Sequence, residues 1–340
     1  CGNAPDQIAG GYNNAGGNIL FDRCPVTINV PSDYATIQEA INASSDNDTI
    51  QIAAGTYYEH SISLQGRAIT IQGTLNEDGS WATVIDGQQT AHMLKLESGE
   101  TQSTVIKDLQ LQNGGSSDYG GALRCIDASP TISNCRFLNN SSNNDGGAIY
   151  LKDSSNPLIE NCEFEGNGTG SRGGAIDCRW SSNPTIRGCY FGDNDANDGG
   201  AIAIYNAQAT IDSCTFESNT TNASGGAIDC RTNSTATISE CTIAGNTAAA
   251  YYGGGIMCWD NSDLTIEDSV VTGNSAPNGG GLYIQSNCTV TISSSTFCDN
   301  SIDEIDGDYT ETNACSVIGV CDSDSDGVFD CDDICPGADD

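Results

Sequence analysis

Basic residues are scarce in this chain. Eleven lysines and arginines stand against 46 aspartates and glutamates in 340 residues, a formal charge of −35. Phosphate recognition needs clustered Lys and Arg, so nucleic acid is excluded as a partner, and an anionic membrane surface is disfavoured on the same grounds. The apolar runs span only a few residues, far short of the roughly 20 that a spanning helix needs, so no membrane insertion is expected. Several chemical signatures are missing too. There is no GxGxxG dinucleotide fingerprint, no paired CxxC zinc arrangement and no Ser/His/Asp or Cys/His constellation. The only histidines are His60 and His92, both ahead of the repeats described next.

What the chain has instead is repetition. GGAL, GGAI, GGAI, GGAI, GGAI, GGGI and GGGL recur between Gly120 and Leu282, 26–28 residues apart. Each is followed by a polar turn, a Thr-Ile or similar pair, a Cys or Ser with an aromatic or aliphatic residue, and an Asn. A fixed period in this range means stacked copies of one coil.

In the copy at Gly173, strand alternation places Ile176 and Cys178 on one face and Asp177 and Arg179 on the other. WSSNP turns the chain, TIR points Ile186 inward, Gly188 bends it, and CYF points Cys189 and Phe191 inward. Three strands per coil, in register, describe an all-β, single-stranded right-handed parallel β-helix, a solenoid whose coils stack at about 4.8 Å. The register predicts an Ile ladder (Ile149, Ile176, Ile202, Ile228, Ile256). It also predicts a Phe ladder (Phe137, Phe164, Phe191, Phe216) and an Asn ladder from Asn140 to Asn300.

The ends read differently. Residues 1–28 are a Gly- and Asn-rich lead-in that could be pinned by Cys1 and Cys24. The β-helix is expected over 29–300, with the glycine-pair repeats from about 114, and an acidic Cys-rich segment over 301–340. VPSDYATIQEAIN predicts a short capping helix over the raw N-terminal end, with Ser32 or Asp33 as caps and Ile37, Ala40 and Ile41 as its apolar face. Strands are expected at Thr49–Ile52, Ser61–Leu64, Ala68–Gln72, Thr83–Ile85, His92–Leu96 and Val105–Leu111.

GGAI at 146–149 with FEGN at 164–167 resembles the repeat of the polymorphic outer membrane proteins, whose passengers are adhesins with β-helix folds. The opening VPSDYATIQEAI…DTIQIAAGTYYE resembles the first coil of the pectin-lyase-like superfamily. That superfamily holds lyases with carboxylate-bound calcium and an arginine base, hydrolases with paired aspartates, and structural proteins. Asp177 with Arg179, and Asp229 with Arg231, are the positions where such chemistry could sit, and we expect them to be surface ion pairs.

Seventeen cysteines point to an oxidising compartment. Two inward positions carry them repeatedly: Cys125, Cys178, Cys230 and Cys258 end the glycine-pair strand, and Cys135, Cys162, Cys189, Cys214 and Cys241 begin a later one. Buried thiols and cross-coil disulfides are both open. Sequons at Asn42, Asn140, Asn167, Asn219, Asn222 and Asn233 are weak evidence of glycosylation, because Asn here serves turns.

Near the C-terminus stands DSDSDGVFDCDDICP. Asp322, Asp324 and Asp326 fall at positions 1, 3 and 5 of a calcium loop, Gly327 at its turn, the Val328 carbonyl at 7, Asp330 at 9 and Asp333 at 12. Asp replaces the EF-hand Glu at the last position, and the string resembles a thrombospondin type 3 repeat. The expected cofactor is Ca²⁺.

One stripe departs from the acidic background: Tyr150, Lys152, Arg179, Trp180, Tyr205, Arg231, Trp259 and Tyr283, on or beside the outward side of the glycine-pair strand. It could stack sugars or dock a second copy of the chain. The expectation is a non-catalytic, extracellular or cell-surface structural or adhesive protein, stabilised by disulfides and calcium and able to assemble head-to-tail into fibres. The alternative is a polysaccharide-binding or polysaccharide-degrading protein.

Overall fold

The computed structural model describes residues 24–312 and the backbone of 317–319. Every strand pairing of its four sheets is parallel, and each coil runs through them in the same order. In the coil of Gly173 the order is Ile176–Arg179, Thr185–Arg187, Tyr190–Gly192 and Asp195–Asp198, before the chain rises to Ile202–Tyr205. The corresponding sheets hold 10, 12, 11 and 6 strands. The first three are the walls expected from the repeat. The fourth is a short extra ribbon, five of whose six strands begin just after a ladder asparagine, from Asn140 to Asn246.

The ladders close the core. Phe137, Phe164, Phe191 and Phe216 stack at 4.7–4.8 Å with nearly parallel rings, all fully buried. Beside them, each ladder Asn from Asn140 to Asn274 donates from its side-chain amide to the next Asn Oδ1 and to a backbone carbonyl of the preceding coil, and Asn300 ends the run on Glu304. Asn194, for instance, donates to Asn219 at 2.9 Å and to the Phe164 oxygen at 3.0 Å. This satisfies polar groups that no water reaches. Asn140, Asn167 and Asn219 belong to the ladder and are fully buried, so these three sequons are closed to glycosylation.

The N-terminal end is plugged by the helix Ile37–Ala43, which buries Ile37, Ala40 and Ile41. Its cap is Thr36, in a capping box with Glu39, rather than Ser32 or Asp33. Asp33 is occupied elsewhere, accepting from the Asn29 backbone at 2.7 Å. The run Val105–Leu111 forms two strands, Val105–Lys107 and Gln110–Gln112, because Asp108 turns the corner at φ +59°.

Ten of the described cysteines are free: nine buried, and Cys288 half-buried. Cys24 and Cys298 each take part in a disulfide. Burial pushes the Cys125 thiol up to about 12, which keeps it neutral. The second cysteine column is more than apolar filler. The Cys214 N–H donates to the Cys241 sulfur at 3.4 Å, and the Cys241 N–H to Ser269 Oγ at 3.1 Å. That shared acceptor role explains why Ser replaces Cys there.

Among the described residues no helix is long and apolar enough to cross a membrane. The expected calcium loop, Asp322, Asp324, Asp326, Val328, Asp330 and Asp333, lies outside the described residues, as does Cys1.

Candidate functional site

The site is built by the glycine turn. The first glycine of each pair has φ between +58° and +71°, the left-handed region. At Gly173 a Cβ would lie 2.3 Å from the Ile176 oxygen, so the chain folds back tightly onto its own strand. The residue before the glycine is thereby brought against the outward face of the glycine-pair sheet.

Three columns result. Tyr119, Asp145, Arg172, Asp198, Ser224 and Tyr252 precede glycine pairs and form one side. Tyr150, Asp177, Ala203, Asp229, Met257 and Tyr283 form the floor, in register from coil to coil. Lys152, Arg179, Tyr205, Arg231 and Trp259, two residues further along the strands, form the other side.

Except for Ser224, each of these pre-glycine side chains reaches into the next coil. Tyr119 stacks on Tyr150 at 4.5 Å. The Asp145 carboxylate accepts Arg179 Nη2 at 2.9 Å, while Arg179 Nε pairs with Asp177 at 2.8 Å. Arg172 and Arg179 both lie over the Tyr205 ring, at 5.0 and 5.2 Å. Arg231 bridges Asp198 at 2.9 Å and Asp229 at 2.5 Å. Tyr252 meets Tyr283 at 4.3 Å and Trp259 at 5.4 Å. These contacts pin neighbouring coils across the groove.

The aspartates expected at the surface are therefore covered. Asp177 and Asp229 point outward from the sheet, yet they are 0% and 1% exposed beneath their clamps. The two lie two coils apart with Ala203 between, roughly 10 Å. Burial pushes Asp177 up to about 8 and Asp229 up to about 6, with Arg179 and Arg231 opposing the rise.

A carboxyl whose folded pKa is raised contributes stability fully below the ordinary carboxylate value, and that stability is lost as pH climbs to the folded value. The window runs from 3.8 to about 8 for Asp177. The gap in melting temperature between Asp177→Asn and wild type should therefore move in the variant's favour from about pH 5 to about pH 8. A gap that stays constant across that range contradicts the assignment.

The stripe expected from sequence divides into separate groups. Tyr150 is 2% exposed under Tyr119 and presents no open ring. Lys152 sits over Trp180 at 4.4 Å, on the turn outside the groove. Arg179 and Tyr205 are engaged in the clamps, while Arg231, Trp259 and Tyr283 gather near Tyr252.

One position in the clamp column is short. Ser224 stands where its neighbours carry Asp198 and Tyr252, and a concave space of about 360 Å³ opens there. Met257 lies at its floor, and Arg231, Asp198, Tyr251, Tyr252 and Trp259 line it. Tyr251 is 55% exposed. A second concavity, also about 360 Å³, is lined by amides and hydroxyls of the turn after the strand, including Asn156, Asn183, Asn206 and Asn233.

The pre-glycine column escaped the sequence reading. Its members share no residue type, and only their constant offset, one place before each glycine pair, marks them.

No curated protein matches this sequence. Among solved structures, the chain is similar to endo-xylogalacturonan hydrolase from Aspergillus tubingensis (TM-score 0.46, 15% identity, covering 87% of this chain and 92% of that one). It is also similar to alginate lyase AlyF-OU02 in complex with G6 (TM-score 0.43, 13% identity, 88% and 86%). A third similarity is to the receptor-binding protein of bacteriophage Det7, a podoviral tailspike in a myovirus (TM-score 0.30, 11% identity, 88% and 74%). Identities this low speak to the fold alone. The family described as "Right handed beta helix region" matches residues 79–223 and 195–322. The chain belongs to that right-handed β-helix family.

Proposed function

We propose that this protein is a non-catalytic adhesive rod, secreted or held at a cell surface, that grips a polysaccharide in the Ser224 notch. The observation that carries the proposal is the notch itself, in which Tyr251, Tyr252 and Trp259 surround a concave space beside an ion-paired arginine. Aromatic rings offer sugar C–H faces a large, rigid contact, and neighbouring polar groups orient the hydroxyls. Its volume falls at the low end of the roughly 300–1,000 Å³ usual for ligand sites.

The competing reading, cleavage by Asp177 or Asp229, draws on their raised pKa values. Both carboxyls are sealed beneath the Arg179 and Arg231 clamps, which favours holding over cutting. The proposal extends to calcium on Asp322, Asp324, Asp326, Val328, Asp330 and Asp333, a reading that rests on the sequence motif.

Calorimetry against a panel of soluble polysaccharides, with parallel assays for new reducing ends and unsaturated products, tests both parts. We expect binding without product, lost in Ser224→Tyr, which fills the notch, and weakened at least about tenfold in Trp259→Ala. Calcium uptake in the same instrument should fall in Asp324→Ala. Polymer cleavage that disappears in Asp177→Asn would overturn the non-catalytic reading, and unchanged calcium uptake would remove the metal from this segment.

A further inference from the structure

We infer that the polysaccharide taken by the Ser224 notch carries no anionic groups, which rules out uronates. This rests on the binding reading above and adds the chemical class of the ligand.

The argument begins with the cations. A carboxylated sugar is held by a cation free to receive it, usually an arginine fork or a lysine. Among the described residues Arg231 is the only cation lining the notch, and its Nη2 already serves two carboxylates, Asp198 at 2.9 Å and Asp229 at 2.5 Å. Arg231 is thereby committed to the chain's own carboxylates, one of which, Asp198, also lines the notch. An arriving carboxylate would meet Asp198 with no second cation in the lining, Arg172 lying outside it over the Tyr205 ring. Over this short range, screening by salt gives little relief, because the Debye length is about 8 Å at physiological ionic strength.

The aromatic lining points the same way. The faces of Trp and Tyr rings are electron-rich, so they attract C–H edges and cations and repel carboxylates laid over them. Tyr252 touches both Trp259 (5.4 Å) and Tyr283 (4.3 Å), so several such faces are gathered at one end of the notch. The remaining polar lining, Asn197 and Ser224, is neutral and can both donate to and accept from hydroxyls. The whole chain adds to the repulsion, with 46 acidic residues against 11 basic ones.

The test compares an uncharged galactomannan and a mixed-linkage β-glucan with polygalacturonate and alginate. Each is titrated into the full chain at low and high salt, using wild type, Ser224→Tyr and Trp259→Ala. A melting curve for each variant establishes that it is folded. The inference expects at least one uncharged polymer to bind with an affinity that salt barely changes and that Ser224→Tyr abolishes. Both uronates should bind at least tenfold more weakly. Uronate binding as tight as that of the uncharged polymers, and lost in Ser224→Tyr, overturns the inference while leaving a glycan site in place. Binding to none of the four overturns the adhesive reading itself, and this inference with it.

Discussion

Replacing Gly226 with alanine is expected to destabilise the rod by about 3 kcal/mol or more, a cost set by overpacking against backbone that cannot yield. A Cβ at this position would lie 2.0 Å from the Gly254 oxygen and 2.7 Å from the Thr247 nitrogen. Both atoms belong to the next coil, so relief would require opening the stack. The neighbouring second glycines are just as confined: Gly147 and Gly200 would meet carbonyl oxygens at 2.0 and 2.1 Å. Gly245→Ala is the control. Gly245, unlike Gly226, has a left-handed φ, +64°, but nothing lies within 4 Å of its Cβ direction. Its cost should be only the roughly 1–2 kcal/mol of placing a side chain in that conformation. Urea unfolding of both variants measures the difference, and equal losses would contradict the close approach of backbones at Gly226.

Asn194→Ala should be comparably damaging for a different reason. Its Oδ1 accepts the Asn167 backbone N–H and side-chain amide, both at 3.0 Å, and its own amide donates to the Phe164 oxygen at 3.0 Å. Removing the side chain orphans two buried donors and one buried acceptor. Each orphan costs about 1–3 kcal/mol, so a loss of about 3 kcal/mol or more is expected. The nearly isosteric Asn194→Asp cannot donate unless protonated and would bury a carboxyl, so it should lose at least as much. If Asn194→Asp unfolds like wild type, shape rather than hydrogen bonding holds the ladder.

Much of this was legible because a solenoid repeats its own evidence. Phe137, Phe164, Phe191 and Phe216 fall at one offset from the glycine pairs, and period-2 alternation sends each inward. The helix was also readable, but its cap was not. Ser32, Asp33 and Thr36 are all capping residue types, and what separates them is that Asp33 is engaged with Asn29.

The site was read less well, because alternation gives direction and not exposure. Asp177 and Asp229 do point out of the sheet, as expected, but the chain just before each glycine pair folds over them. Tyr150 is hidden in the same way. The cover comes from a column whose residues change from Tyr to Asp to Arg to Ser, so no shared chemistry marks it. Only the repeated left-handed glycine reveals that these residues return to the strand. The notch follows from the smallest member of that column, and a lone serine in a loop carries no signal until its neighbours are known to be clamps.

The central claim is that Ser224 leaves an opening that a sugar fills. A crystal structure of the full chain soaked with an oligosaccharide of whichever uncharged polymer binds tests this most directly. The account predicts sugar rings packed on Trp259 and Tyr252, with hydroxyls near Asn197 and Ser224. A bound sugar seated elsewhere on the rod, with the notch unfilled, would contradict it.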